Sequence, residues 1–113
     1  MNTNYKKEFV PHKQALALKE LGFDELCFGW YSNDGTFYEG KMTIHQGLLL
    51  APLYQQAFRW FREKYNIHIR IEKYDETKWW SNWGSWTSEV YDSYEKAELE
   101  CLKKLIEIVK LKQ

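Results

Sequence analysis

No stretch of this chain stays apolar long enough to cross a membrane. The longest apolar run, Gly47-Leu48-Leu49-Leu50-Ala51-Pro52-Leu53, ends after seven residues and contains a proline, well short of the roughly 20 residues a spanning helix needs. Residues 1–10 are polar and read as no secretory leader. A charge of one sign is missing too. The 16 basic and 16 acidic side chains leave a formal net charge of zero, without the positive excess from which nucleic-acid binders draw most of their affinity. Duplex nucleic acid therefore has no support as a partner. Near-zero charge also gives little repulsion between copies, which favours self-association. Cysteine is scarce: Cys27 and Cys101 lie far apart with no CxxC partner, so they read as separate thiols behaving as small apolar residues in a cytoplasmic protein.

The residues that carry chemistry are also missing in the patterns chemistry requires. His12, His45 and His68 stand more than 20 residues apart, with no HxxxH or HExxH, which excludes the usual metal-ligand spacings. There is no GxSxG, and neither cysteine has the local context of a thiol enzyme. The 6 glycines are scattered at positions 22, 29, 35, 40, 47 and 84 and form no phosphate-binding loop. Asp24, Glu25, Asp34 and Asp75 adjoin turns, where carboxylates cap backbone N–H groups, and no pair stands out as an acid and base. The expectation is a protein that is not an enzyme, with no cofactor and no metal.

What the chain has in excess is aromatic rings, 18% of its residues. Their centre is Trp79-Trp80-Ser81-Asn82-Trp83-Gly84-Ser85-Trp86, four tryptophans in eight positions. A 113-residue chain is expected to form one α+β domain spanning residues 1–113, and so small a domain can scarcely hide four indoles. The bland reading alternates the rings between the core and a sheet face. The functional reading makes Trp79, Trp80, Trp83 and Trp86 a contact surface, with Arg70 and Lys78 as polar neighbours. Such a surface fits a protein partner or a second copy of the chain as a homodimer, because tryptophan and tyrosine dominate interface hot spots. The alternative is a nucleotide or single-stranded nucleic acid whose bases stack on the rings, at about 1–3 kcal/mol per base. A small nucleotide needs only one or two local cations, which Arg70, Lys73 and Lys78 offer. Replacing Trp79 and Trp80 by serine is expected to weaken binding and leave the fold intact.

Three helices are legible. Pro11 suits the first helical position; Ala15, Leu18 and Leu21 recur at helical spacing, and Gly22 fits the left-handed position that ends a helix. A second helix begins at Pro52 with Tyr54, Ala57, Phe58, Phe61 and Tyr65 on one stripe, Trp60 at its margin, and Asn66 as its stop. A third carries Tyr94, Ala97, Cys101, Leu102, Leu105, Ile108 and Val109 on its apolar face. Asp92 or Ser93 caps it, Glu95 completes a capping box with Asp92, and Glu100 pairs with Lys104. Residues 27–31 and 36–41 flank Ser32-Asn33-Asp34-Gly35 as a hairpin. Residues 67–72 alternate with three isoleucines inward, and residues 86–91 form their partner strand, leaving the tryptophan run at the hairpin end. The order α-β-β-α-β-β-α then implies a four- or five-stranded antiparallel sheet with helices mainly on one face. The opposite face would carry many rings.

Three blocks of the chain match a family pattern. They are Glu8-Phe9-Val10 with residues 14–25; residues 56–65, including Trp60-Phe61-Arg62-Glu63-Lys64-Tyr65; and residues 93–110. Together they resemble a family of small uncharacterised proteins from gut bacteria of the Bacteroides group and their phages. Residues 74–91, tryptophans included, depart from that pattern. The resemblance implies a cytoplasmic accessory protein, phage-encoded or from a mobile element, and implies no catalytic residue. In that setting the nucleotide alternative corresponds to a phage-type sequestering protein.

Overall fold

The structure is a computed structural model that describes residues 7–40 and 49–112. Residues 1–6, Lys41 at the end of the expected second strand, His45, Gly47 and Leu48 lie outside the described residues. Contacts gather into two units, Met1–Ala57 and Phe58–Gln113. The elements are α1 (His12–Glu20), β1 (Gly29–Tyr31), β2 (Phe37–Glu39), β3 (Leu49–Ala51), α2 (Tyr54–Tyr65), β4 (Arg70–Lys73), β5 (Trp79–Trp83), β6 (Trp86–Thr87) and α3 (Tyr94–Lys112).

In the first unit, Pro11 stands just outside α1 with extended backbone, and its carbonyl accepts the Ala15 N–H at 2.8 Å. Gly22 ends the helix at φ +101°. Its N–H reaches the Lys19 carbonyl and the Phe23 N–H the Leu18 carbonyl, both at 3.0 Å. This double closure satisfies the last helical carbonyls and folds Phe23 back into the core. β1 is the central strand of an antiparallel sheet ordered β2-β1-β3. Its turn is held by Asp34, whose carboxylate accepts the Ser32 hydroxyl and the Thr36 N–H. Gly29 has no side chain because none fits: a Cβ there would lie 2.8 Å from Phe37 and 2.9 Å from Phe9. Those two rings and Tyr31 form the aromatic floor of the unit, and the Tyr31 hydroxyl donates to the buried Val10 carbonyl at 2.9 Å.

In the second unit, α2 buries Phe58 and Phe61, and Asn66 at φ +56° stops it. Trp60 is not at the margin as expected. Only 6% of it is exposed, because Phe61 and Tyr65 abut its ring edge-to-face and Lys64 lies 5.1 Å from its centroid. Ile67 is buried, and Ile69 and Ile71 are half-buried, alternating with exposed His68, Arg70 and Glu72. The sheet is antiparallel and ordered β4-β5-β6. α3 is capped by Ser93, whose Oγ accepts the Lys96 N–H at 3.1 Å; Asp92 is engaged by Lys78 instead. Glu100 pairs with Lys96 and Lys103 rather than Lys104, and Lys104 reaches Glu107.

The α+β architecture and the alternation of helices with strand groups follow the sequence reading. The four- or five-stranded sheet does not: there are two three-stranded sheets. Each group gains a strand that the sequence reading had folded into something else. Leu49–Ala51, within the apolar run, pairs with β1 before α2 begins at Tyr54. Trp79–Trp83 is itself a strand, bonded on both sides; of the expected strand 67–72 only residues 70–72 fall in β4, which runs on to Lys73 and pairs with Trp79–Asn82 rather than with residues 86–91. With β1 and β5 each satisfied by sequence-local partners, no ladder joins the two groups among the described residues.

Candidate functional site

β5 carries the tryptophans, and its position at the centre of the second sheet decides what they can do. Successive residues of a strand point to opposite faces, so Trp79, Ser81 and Trp83 share one face and Trp80 and Asn82 the other. Ladder partners extend the division. Lys73 stands opposite Trp79, Ile71 opposite Ser81, and Trp86 opposite Trp83; Glu72 stands opposite Trp80, Arg70 opposite Asn82, and Thr87 opposite Asn82 on the other side.

α3 covers the first face. Tyr94 meets Trp79 edge-to-face at 5.0 Å and 81°. Ser81 is fully buried beside the Cys101 thiol, and Lys104 Nζ lies 5.4 Å from the Trp86 ring centroid. From Tyr94 to Lys104 a helix advances about 15 Å, and from Trp79 to Trp83 a strand advances about 14 Å, so the two run side by side. Ser81 is the small residue between two indoles, and the notch it leaves admits Cys101. Lys73 Nζ closes the far edge, 5.5 Å from the Trp79 centroid.

The other face carries Trp80 and Asn82 of β5 with Glu72 and Arg70 of β4 opposite them. Trp80 stands there in edge-to-face contact with Tyr74, at 5.0 Å and 75°, and Tyr74 is 53% exposed. Arg70 and Glu72 pair across the same face at 3.2 Å. The arm leaving β6 is irregular. Ser88 donates to the Ser81 carbonyl, and Trp79 exchanges both backbone hydrogen bonds with Tyr91. Three steps of that arm therefore match two of β5. The extra residue makes a bulge at Glu89-Val90, opposite Trp80, of the kind that re-aims side chains beside a site.

The structure thus brings the four tryptophans into one sheet but not onto one surface. All four are half-buried; Trp79, Trp83 and Trp86 face α3, and Trp80 alone faces away. Arg70 lies on Trp80's face, paired with Glu72. Lys78 forms an ion pair with Asp92, which holds the Lys78 ammonium above and the Asp92 carboxyl below their ordinary ranges. Tyr74 was missed, although the spacing Arg70, Glu72, Tyr74 places it on the outward face. A second ring patch was also missed. In the first unit Phe28 is 68% and Tyr38 48% exposed, with half-buried Trp30 stacked on Tyr38 at 17°. The signal was the pairing of Trp30 with Tyr38 across the hairpin.

The first unit also has a cleft of about 300 Å³ lined by Ala15, Lys19, Gly22, Phe23, Asp24 and Leu50, at the lower limit for small-molecule sites. Among the described residues no three His, Cys, Asp or Glu side chains converge as a metal site would require, and no helix is long and apolar enough to cross a membrane. Burial pushes the Cys101 thiol up to about 12, the Ser81 hydroxyl opposing it and Glu98 adding to it. Cys27 is also pushed up to about 12, by burial and then by the Glu25 charge, against the Gln56 amide. At pH 8 the native thiols should react with a disulfide reagent about 10³-fold more slowly than in urea, because only the thiolate attacks. Equal rates in the two solvents would show that the thiols are open to solution.

No family model, curated protein or solved structure matches the chain.

Proposed function

We propose that this chain is a non-enzymatic accessory protein that binds a protein partner, in the first instance a second copy of itself, through the sheet face opposite α3. The observation that carries the reading is the Trp80–Tyr74 pair. Two large rings in edge-to-face contact stand on the face turned away from α3, flanked by Arg70 and Glu72. Rigid rings with a charged rim are the composition of interface centres. Thiol chemistry is disfavoured, since both cysteines are buried with pKa values near 12. Trp79, Trp83 and Trp86 support the surface from behind by fixing the sheet on α3. By the resemblance of residues 8–25, 56–65 and 93–110, the setting is the cytoplasm of a Bacteroides-group gut bacterium or its phage.

The nucleotide reading competes for the same ring. What disfavours it is that two of the three cations meant for phosphate, Arg70 and Lys78, are each paired with a carboxylate of the chain, and the third, Lys73, lies over the Trp79 ring on the opposite face from Trp80. Trp80→Ser should lower the association constant at least about tenfold, as expected for a hot-spot ring, and leave far-UV circular dichroism unchanged. Light scattering against concentration measures the first quantity. Tryptophan quenching by nucleotides, lost in Trp80→Ser, would establish the nucleotide reading instead. Association unchanged in that variant would remove the ring from the contact.

A further inference from the structure

Resting on the self-association reading, we infer that two copies join edge to edge along β4, in one register, into a continuous six-stranded antiparallel sheet. β4 is an edge strand: among the described residues its only strand partner is β5. The hydrogen-bond parity of that pairing is fixed. Trp79 and Ser81 direct their backbone groups toward Tyr91 and Ser88, and the Tyr74 N–H donates to the Lys78 carbonyl. Trp80 and Asn82 therefore serve Glu72 and Arg70, and the backbone groups of Ile69, Ile71 and Lys73 point outward. No backbone hydrogen bond engages them among the described residues. The residues on this edge are not a uniform repellent row. Arg70 and Glu72, 75% and 45% exposed, alternate in sign on the outer face, and Ile69 and Ile71 are half-exposed on the other.

A two-fold pairing must bring outward groups to outward groups and avoid like charges. Centring it on Glu72 or on Arg70 puts a residue opposite its own copy, carboxylate on carboxylate or guanidinium on guanidinium. Centring it between residues mates outward groups with inward ones. Centring it on Ile71 satisfies both conditions. Ile71 then exchanges hydrogen bonds with Ile71 of the second copy, and Ile69 does so with Lys73. Arg70 lies opposite Glu72 of the second copy, and Glu72 opposite Arg70, as non-hydrogen-bonded pairs whose side chains approach most closely. The same register carries Tyr74 to His68 of the second copy, covering the exposed ring, and joins the two Trp80 faces into one surface. Charged edges ordinarily prevent such pairing; here the alternation of sign makes the edge complementary to itself.

Arg70→Glu and Glu72→Arg should each turn both cross-copy pairs into like-charge pairs and raise the dimer dissociation constant about tenfold or more. The double variant should restore it to within about threefold, a rescue that mere unfolding cannot produce. In hydrogen exchange the Ile69, Ile71 and Lys73 amides should gain protection as concentration rises, while those of Arg70 and Glu72 stay constant. A dimer lost in Trp80→Ser but indifferent to charge reversal would overturn the edge pairing and keep the ring-face reading. A dimer indifferent to both substitutions would overturn both. A mass that stays monomeric up to millimolar concentration would overturn the edge pairing and self-association through the ring face together, leaving that face to a different protein or to a nucleotide.

Discussion

Replacing Phe61 with alanine should cost about 4 kcal/mol, the largest loss expected from any single substitution in the chain. The ring is fully buried and touches Trp60 edge-to-face at 5.0 Å and Tyr65 at 6.1 Å. Its carbonyl also receives the Ile67 N–H where the chain leaves α2. Removing the ring leaves a cavity walled by two other aromatic residues that are themselves tethered, so little of it can collapse. A domain of this size holds about 5–15 kcal/mol in total, so the variant should be near the edge of folding. With a urea dependence of about 1.5 kcal/mol per M, the unfolding midpoint should fall by 2–3 M, roughly. A shift under about 0.5 M would show that this face of α2 is not the core.

The same helix shows where sequence is informative and where it stops. The stripe Tyr54, Ala57, Phe58, Phe61 was legible because one buried face imposes a 3.6-residue period, and Asn66 was legible because few residues accept a positive φ. Trp60 was misplaced for a related reason. A helix covered on more than one side loses its single stripe, and the periodic reading then assigns a buried ring to the margin. α3 was the most legible element, since a long helix with one covered face repeats its signal over several turns. Its ion pairs were not, because i,i+3 and i,i+4 partners compete on an exposed face at energies of a few tenths of a kcal/mol. Lys104 is drawn off by Trp86 and Glu107.

The strands divide in the same way. Ile67, Ile69 and Ile71 alternate with exposed residues because one side of this extended segment is covered, although only Ile71 lies within β4, and Ser32-Asn33-Asp34-Gly35 is a turn whatever surrounds it. β3 was hidden because a three-residue strand inside an apolar run has no period to read. β5 was hidden because Trp79 and Trp80 are adjacent: when both faces of a strand carry a ring, alternation disappears. What the sequence could not show is that a second element, α3, would claim three of the four indoles. That depends on Ser81 being small enough to admit Cys101. Strand alternation together with the placing of α3 on one face divides the candidate site into a supporting layer and an outer one.

That division separates two neighbouring tryptophans by experiment. Trp79→Ala should destabilise the fold by about 2–3 kcal/mol, whereas Trp80→Ala should cost less than about 1 kcal/mol. Trp79 is half-buried but anchored on three sides. Tyr94 abuts its ring, Lys73 lies over it, and its backbone exchanges hydrogen bonds of 2.9 and 2.7 Å with Tyr91. The alanine variant keeps the backbone bonds and loses the ring contacts. An aromatic pair contributes about 0.5–1.5 kcal/mol beyond burial, a cation over the face about 0.5–1, and the remaining loss is apolar area. Trp80 is half-buried as well, but the ring packed against it is that of the 53% exposed Tyr74, on the face turned away from α3, so its loss removes one pair at the surface. Chemical denaturation of the two variants side by side is the measurement, with association measured on the same samples. Stability should fall with Trp79 and binding with Trp80. The reverse pattern would place α3 against the wrong face of β5 and move the contact surface to Trp79, Trp83 and Trp86.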